Sequence, residues 1–261
     1  MADTQVIDPY EDAPPPRRRG RGWLVAGIIV LVVAALLVVA DIVARGIVEQ
    51  VAADRVEQQL PDGVEGDVDV SIGGFSVLAQ AVSGTVSEVV VDGPDLTVNG
   101  IPVDARLVLS DVPVRLDGPI GHVEATLELS EDALNAAVTD ADVIGGFVLG
   151  DGVVGYRRTI EVLGFGIEYS ATAEAEAAGP YVLLTPTAIE IGTAGGPGID
   201  VTDFVTNAVL GGEPLTLCAA SRLPAGFDVT GVEVSEDRLV LTASADDVVP
   251  DREHLGTRGS C

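Results

Sequence analysis

Few residues in this chain are of the types that carry out chemistry. Histidine occurs only at His122 and His254, and cysteine only at Cys218 and Cys261. The pattern puts His122 in a turn and His254 in a polar tail, so no Ser or Cys nucleophile gains a His base. No G-x-S-x-G, Walker, H-E-x-x-H or paired C-x-x-C motif is present. Gly192 to Gly198 reads GTAGGPG, which lacks the Lys and following Ser or Thr of a phosphate loop and is read as an ordinary loop. Asp246-Asp247 and the pair Asp140 and Asp142 could touch a cation, but in so acidic a chain solvated carboxylates are the simpler reading. The chain is therefore read as non-enzymatic, with no cofactor and no metal. Cys218 and Cys261 suit a disulfide in an oxidising compartment, the alternative being two unpaired thiols.

Charge narrows the partners. The chain holds 14 basic and 41 acidic residues for a net −27, and every basic residue is Arg. The first 22 residues balance four acids with Arg17, Arg18, Arg19 and Arg21, so the remainder carries the whole excess. Such a surface repels nucleic acid, and any lipid contact must be driven by apolar burial. The single Trp, Trp23, lies in the hydrophobic segment, so the outer domain has none and its core must be built from Val, Leu, Ile and Ala.

The elements that must position any site begin with Trp23–Ala40, an uncharged stretch as long as a bilayer-spanning helix. The Arg cluster before it keeps the N-terminus in the cytoplasm and sends the chain outward, across a bacterial plasma membrane. A retained anchor is favoured over a cleaved signal peptide, for which Ala40 and Ala44 offer small residues. Four segments result: a disordered cytoplasmic tail over 1–22, a transmembrane helix or signal segment over 23–40, an extracytoplasmic domain over 41–248, and a C-terminal tail over 249–261.

Helical rhythm continues to Leu60, where Pro61 and Asp62-Gly63 stop it. Period two then takes over. Strands are expected over Val64–Ile72, Thr85–Asp92, Ile101–Val112, Val123–Leu129, Gly152–Leu163, Glu168–Ala177, Tyr181–Ile191, Asp228–Val234 and Arg238–Ala245. Short helices are expected over Phe75–Val82, from Ser130 to Val138, and over Asp200–Leu210. Many short strands with few helices between them predict an α+β fold with an antiparallel sheet. Several strands are apolar on both faces, as at Val89-Val90-Val91 and Val182-Leu183-Leu184. Either both faces are covered by protein, or one lines an apolar cavity.

The order of these features resembles the LmeA-like family of actinobacterial envelope proteins. The likeness is carried by the Arg-flanked anchor, QQLP at 58–61, GGFSVLAQAVSGTVSEVVVDGPDLTVNGIPVD at 73–104, LELSEDALNAAV at 127–138 and LPAGFDVTGVEVSEDRLVLTASADDV at 223–248. It implies a curled antiparallel sheet wrapped on a few helices, similar to tubular lipid-binding domains. It also implies an exported protein that binds or transfers phospholipid in cell-envelope biogenesis, with phospholipid or lipid-linked glycan and the membrane as partners. On that reading Phe75, Leu78, Leu107, Leu109, Leu127, Leu129, Leu134, Phe147, Phe165, Leu183 and Phe204 are candidates to line an acyl-chain groove. Arg106, Arg157 and Arg158 are candidates to meet a headgroup phosphate. The alternative is a structural or scaffolding ectodomain with a solid core.

Overall fold

A computed structural model describes residues 21–57, 63–115, 117–139, 145–162, 165–193, 196–251 and 256–261. The chain divides into two compact units at Val43/Ala44. Helix α1, Arg21–Glu57, contributes to both. In the first unit, Ile28 to Ala40 are all exposed. Among the described residues this is the one helix long and apolar enough to cross a bilayer, a property that a signal sequence shares.

The second unit is two open antiparallel sheets. The first runs β1 (Val64–Glu65), β3 (Thr85–Val98), β4 (Ile101–Pro113), β5 (Ile120–Ser130), β13 (Arg238–Val248) and β12 (Asp228–Val234), with β2 (Asp69–Ile72) also on β3. The second runs β10 (Gly198–Asp200), β9 (Tyr181–Thr193), β8 (Phe165–Ala178), β7 (Val153–Val162) and β6 (Gly146–Leu149), with β11 (Leu215–Cys218) also on β9. The α+β antiparallel expectation agrees with this, and neither sheet closes on itself. The sheets meet where β12 passes β8: Val229 N donates to Gly179 O at 2.8 Å and Gly152 N to Val234 O at 3.0 Å.

Register makes one face of the first sheet apolar. Directly paired residues share a face. One row is Val91, Leu107, Ala125, Ala243 and Val229, and the next is Ala105, Leu127, Leu241 and Val232. Alternation is reset along a third row, where Asp111 and Asp247 hold φ of +54° and +53°. Gly121 lies between them, and a Cβ there would meet Asp111 Cβ at 2.9 Å. The reset returns Val112 and Ile120 to the apolar side, where they join Val123, Phe227, Ala243 and Ala245 in one buried cluster. A second cluster holds Val68, Leu96, Val103, Leu129 and Ala133. Two plugs thus fill the two ends of the apolar face. Leu107, between them, stays 36% exposed.

Helix α1 covers the free edge of β2 with acids. Glu49 Oε1 accepts from Ile72 N at 2.8 Å and Glu57 Oε1 from Val68 N at 3.3 Å. The spacing fits: eight helical residues rise ~12 Å and four strand residues ~13 Å. Arg45 adds bonds to Ile72 O at 2.6 Å and Gly74 O at 2.9 Å.

Several expectations change in detail. The strand expected over Val64–Ile72 is two pieces, because Gly66 takes φ +134°. Helix α2 spans Val77–Ser83 and leaves Phe75 outside. Helix α3 spans Glu131–Thr139. The helix expected over Asp200–Leu210 is one α turn, α4 (Thr202–Phe204), followed by a π-helical stretch, Val205–Val209. His122 lies within β5, not a turn, with Nδ1 2.7 Å from Asp246 Oδ1. Asp140, Asp142 and His254 fall outside the described residues. The described end of the tail is built in: Cys218 and Cys261 form a disulfide with Cα atoms 5.8 Å apart, and Gly259 N donates to Leu223 O at 3.1 Å.

Candidate functional site

The second sheet also has one apolar face, and register builds it row by row. Leu149, Val154, Ala173 and Pro186 form one row, and Phe147, Tyr156, Ala171 and Ile189 the next. Arg158, Tyr169, Ile191 and Ile199 follow. Toward the other end lie Ala175, Leu184 and Leu215, then Ala177, Val182 and Leu217. Among the described residues nothing seals this face. Between Gly150 and Ala219 not one described residue is buried. Ile191 is 45% exposed, Ile199 71%, Leu215 46% and Phe165 72%. A face this apolar is normally covered.

Its edge is finished by side chains of α3 that act as a missing strand. Asn135 Nδ2 donates to Phe147 O at 2.9 Å while its Oδ1 accepts from Phe147 N at 2.7 Å. Glu131 Oε2 accepts from Leu149 N at 2.8 Å. The Phe147 ring then packs on Tyr156 at 5.3 Å, and Tyr156 on Tyr169 at 6.0 Å, an aromatic line across three strands.

Arg158 ends that line. It is half-buried, its Nε is shielded from solvent without a hydrogen-bond partner, and no described carboxylate lies within ion-pair distance. Burial and the neighbouring Tyr169 hold the Tyr156 phenol above its ordinary pKa, and Arg158 opposes them. A guanidinium that meets the Tyr156 phenol and no described carboxylate is notable in so acidic a chain. Set in an apolar face, it is a ready donor fork for an anionic oxygen group.

The other candidate arginines are satisfied elsewhere. Arg157 projects to the opposite face and sits 3.4 Å from Glu168. Arg106 pairs with Asp92 at 2.7 Å on the polar face of the first sheet. It lines a hollow of ≈ 420 Å³ with Asp104 and Glu128, walls that repel a phosphate. A hollow of ≈ 360 Å³ on the second sheet is likewise lined by polar-face residues, among them Arg157, Ser170, Thr172 and Glu190. Residues of the apolar rows also border these hollows: Ala105 the first, and Leu149, Tyr156 and Ala171 the second. Among the described residues no group of three His, Cys, Asp or Glu is arranged to hold a metal.

The candidate apolar residues separate into groups. Leu107, Leu109, Leu127 and Leu129 share the apolar face of the first sheet, with Leu129 in a plug. Phe147 and Phe165 lie on the apolar face of the second. Leu183 is on its opposite face, across from Glu176. Leu134 is on α3 and half-buried, and Phe204 is on α4 and 68% exposed. Phe75 and Leu78 belong to the α2 region, Phe75 wholly exposed. Sequence reasoning missed Tyr156, Ile199, Leu215 and Leu217. The alternation of Tyr169, Ala171, Ala173 and Ala175 marked the face, but its neighbours depend on register.

Two open antiparallel sheets, each with an apolar face left partly uncovered among the described residues, make up the second unit. The family model for LmeA-like phospholipid-binding proteins matches residues 39–244, and the chain belongs to that family. No curated protein and no solved structure matches it.

Proposed function

We propose that this is a membrane-anchored, extracytoplasmic protein that binds or transfers phospholipid in cell-envelope biogenesis. The acyl chains lie on the apolar face of the second sheet, and the phosphate is met by Arg158. The observation that carries this is the face itself, apolar row after row and uncovered by the described residues, with one arginine in it that pairs with no described carboxylate. Each acyl CH₂ buried there contributes about 0.8 kcal/mol. Charge-assisted bonds from the guanidinium fix the headgroup. Family membership supports phospholipid as the guest, and the open antiparallel sheets are in keeping with a likeness to tubular lipid-binding domains. Lipid-linked glycan belongs to the same reading as the wider partner.

The domain limits follow the same reading: tail over 1–22, anchor over 23–40, lipid-binding domain over 41–248 and tail over 249–261. The Arg cluster before the apolar helix supports a cytoplasmic N-terminus. A scaffolding domain with a solid core fits less well, because among the described residues the second sheet has no sealed side.

A photoactivatable phosphatidylcholine, with the reactive group on an acyl chain, tests the proposal on the full chain in vesicles. Adducts are expected in peptides from 153–193. Adducts confined to α1 would remove the second sheet as the site.

A further inference from the structure

We infer that α2 and the turn before it form a second membrane-contact surface, resting on the lipid surface of the bilayer that takes the apolar part of α1. The inference depends on the anchor reading above.

The turn and helix display apolar side chains to solvent. Phe75 is 100% exposed, Val82 90% and Leu78 40%, and Val114 beside them is 46% exposed. Val114 N donates to Gly84 O at 3.0 Å, which holds it next to the end of α2. The display is rigid. Ser76 Oγ caps the helix by accepting from Ala79 N at 3.1 Å, and Gly84 closes it in the left-handed conformation. Gln80, a buried polar residue, donates to Gly73 O at 3.0 Å and accepts from Ser87 N at 2.7 Å. A seven-residue helix does not persist alone, so these bonds and buried Val77 hold it with its apolar residues outward.

Charge and position choose the occupant. Residues 70–87 are 18 consecutive uncharged positions. The next longest run after the hydrophobic segment is 177–189, with 13. A domain carrying the chain's whole net −27 is repelled by anionic headgroups, and this tip is the part that approaches without that repulsion. The patch is also tied to the beginning of the second unit. Gly74 O accepts from Arg45, which follows the last residue of the first unit by two positions. A patch tethered so close to the chain's exit from the apolar segment needs little affinity of its own to stay on the bilayer.

Tryptophan probes in the full chain test this in phosphatidylcholine vesicles with and without brominated acyl chains. All carry Trp23→Phe, and each adds one of Leu31→Trp, Phe75→Trp or Val82→Trp. The L31W probe reports the anchor. The F75W and V82W probes are expected to emit at shorter wavelength and to lose most of their intensity in brominated vesicles, as L31W does. Quenching of L31W with F75W and V82W both unquenched overturns the inference and leaves the anchor standing. If L31W is also unquenched, the anchor reading falls and the inference with it. Blue-shifted but unquenched F75W and V82W emission means a protein surface, such as a second copy, covers the patch, and that too overturns it.

Discussion

Arg158 stands directly across from Tyr169 on β7 and β8, both on the apolar face of the second sheet. The pairing sets a cation at the end of an aromatic line without setting a carboxylate beside it. Arg158→Gln keeps the length and loses the charge. A charge-assisted bond contributes roughly 1.5–3 kcal/mol, so phospholipid affinity should fall about 10- to 100-fold. Arg157→Gln, one residue earlier and facing away, should leave it unchanged. Titration with a fluorescent phospholipid analogue separates them, and equal losses in both would refute the assignment.

Ile191→Glu places a carboxylate on the same face, opposite Tyr169. Because Ile191 is already 45% exposed, the fold should lose no more than about 0.5 kcal/mol. Acyl-chain capture should be abolished. A variant that melts like the parent and still cross-links lipid in 153–193 would show that this face is not the groove.

The plugs of the first sheet should be felt in denaturation. Leu129→Ala opens a buried cluster and should cost about 2–5 kcal/mol, whereas Leu107→Ala, between the plugs, should cost clearly less. Equal costs in urea titrations would mean that the middle of the face is packed as tightly as its ends.

Reduction of Cys218–Cys261 should lower stability by roughly 2–4 kcal/mol, since the bond closes a separation of 43 residues. Hydrogen exchange should quicken first at Ala225 and Gly259, whose amides bond across the tail pairing. Unchanged exchange at both would show that the tail holds without the bridge.

Asp200 accepts from Thr202 Oγ1 at 2.6 Å and Thr202 N at 2.8 Å, and these bonds hold its carboxyl below its usual pKa of 3.8. Its support for the start of α4 is therefore whole above that value and is lost as pH falls through the lowered one. Exchange at Thr202 should rise on that acid limb in the parent. In Asp200→Ala it should be faster at neutral pH and lack the step.

Much of the fold was legible because strand alternation is a local property. Val123 to Leu129 gives its face away residue by residue, and Ser130 with Glu131 announces α3. The two-sheet split was not legible, since it depends on which strands pair. β6, β10 and β11 were missed because three or four residues carry too little periodicity. Arg158 could be picked as a headgroup candidate but not separated from Arg157 or Arg106. Adjacent residues in a strand face opposite ways, and only the register shows which of them meets an acid.

The acid-lined seam along β2 sets where the chain could be trimmed at its N-terminal side without harm. Trimming after Ala40 or Ala44 would spare Arg45, Glu49 and Glu57, so a released ectodomain would keep its sheet border protected. A shorter version starting beyond Glu57 would bare the amides of Val68 and Ile72, inviting strands from other molecules to stack there. Fibrillation of that truncated form, in contrast to a well-behaved product starting at Arg45, would be the visible sign.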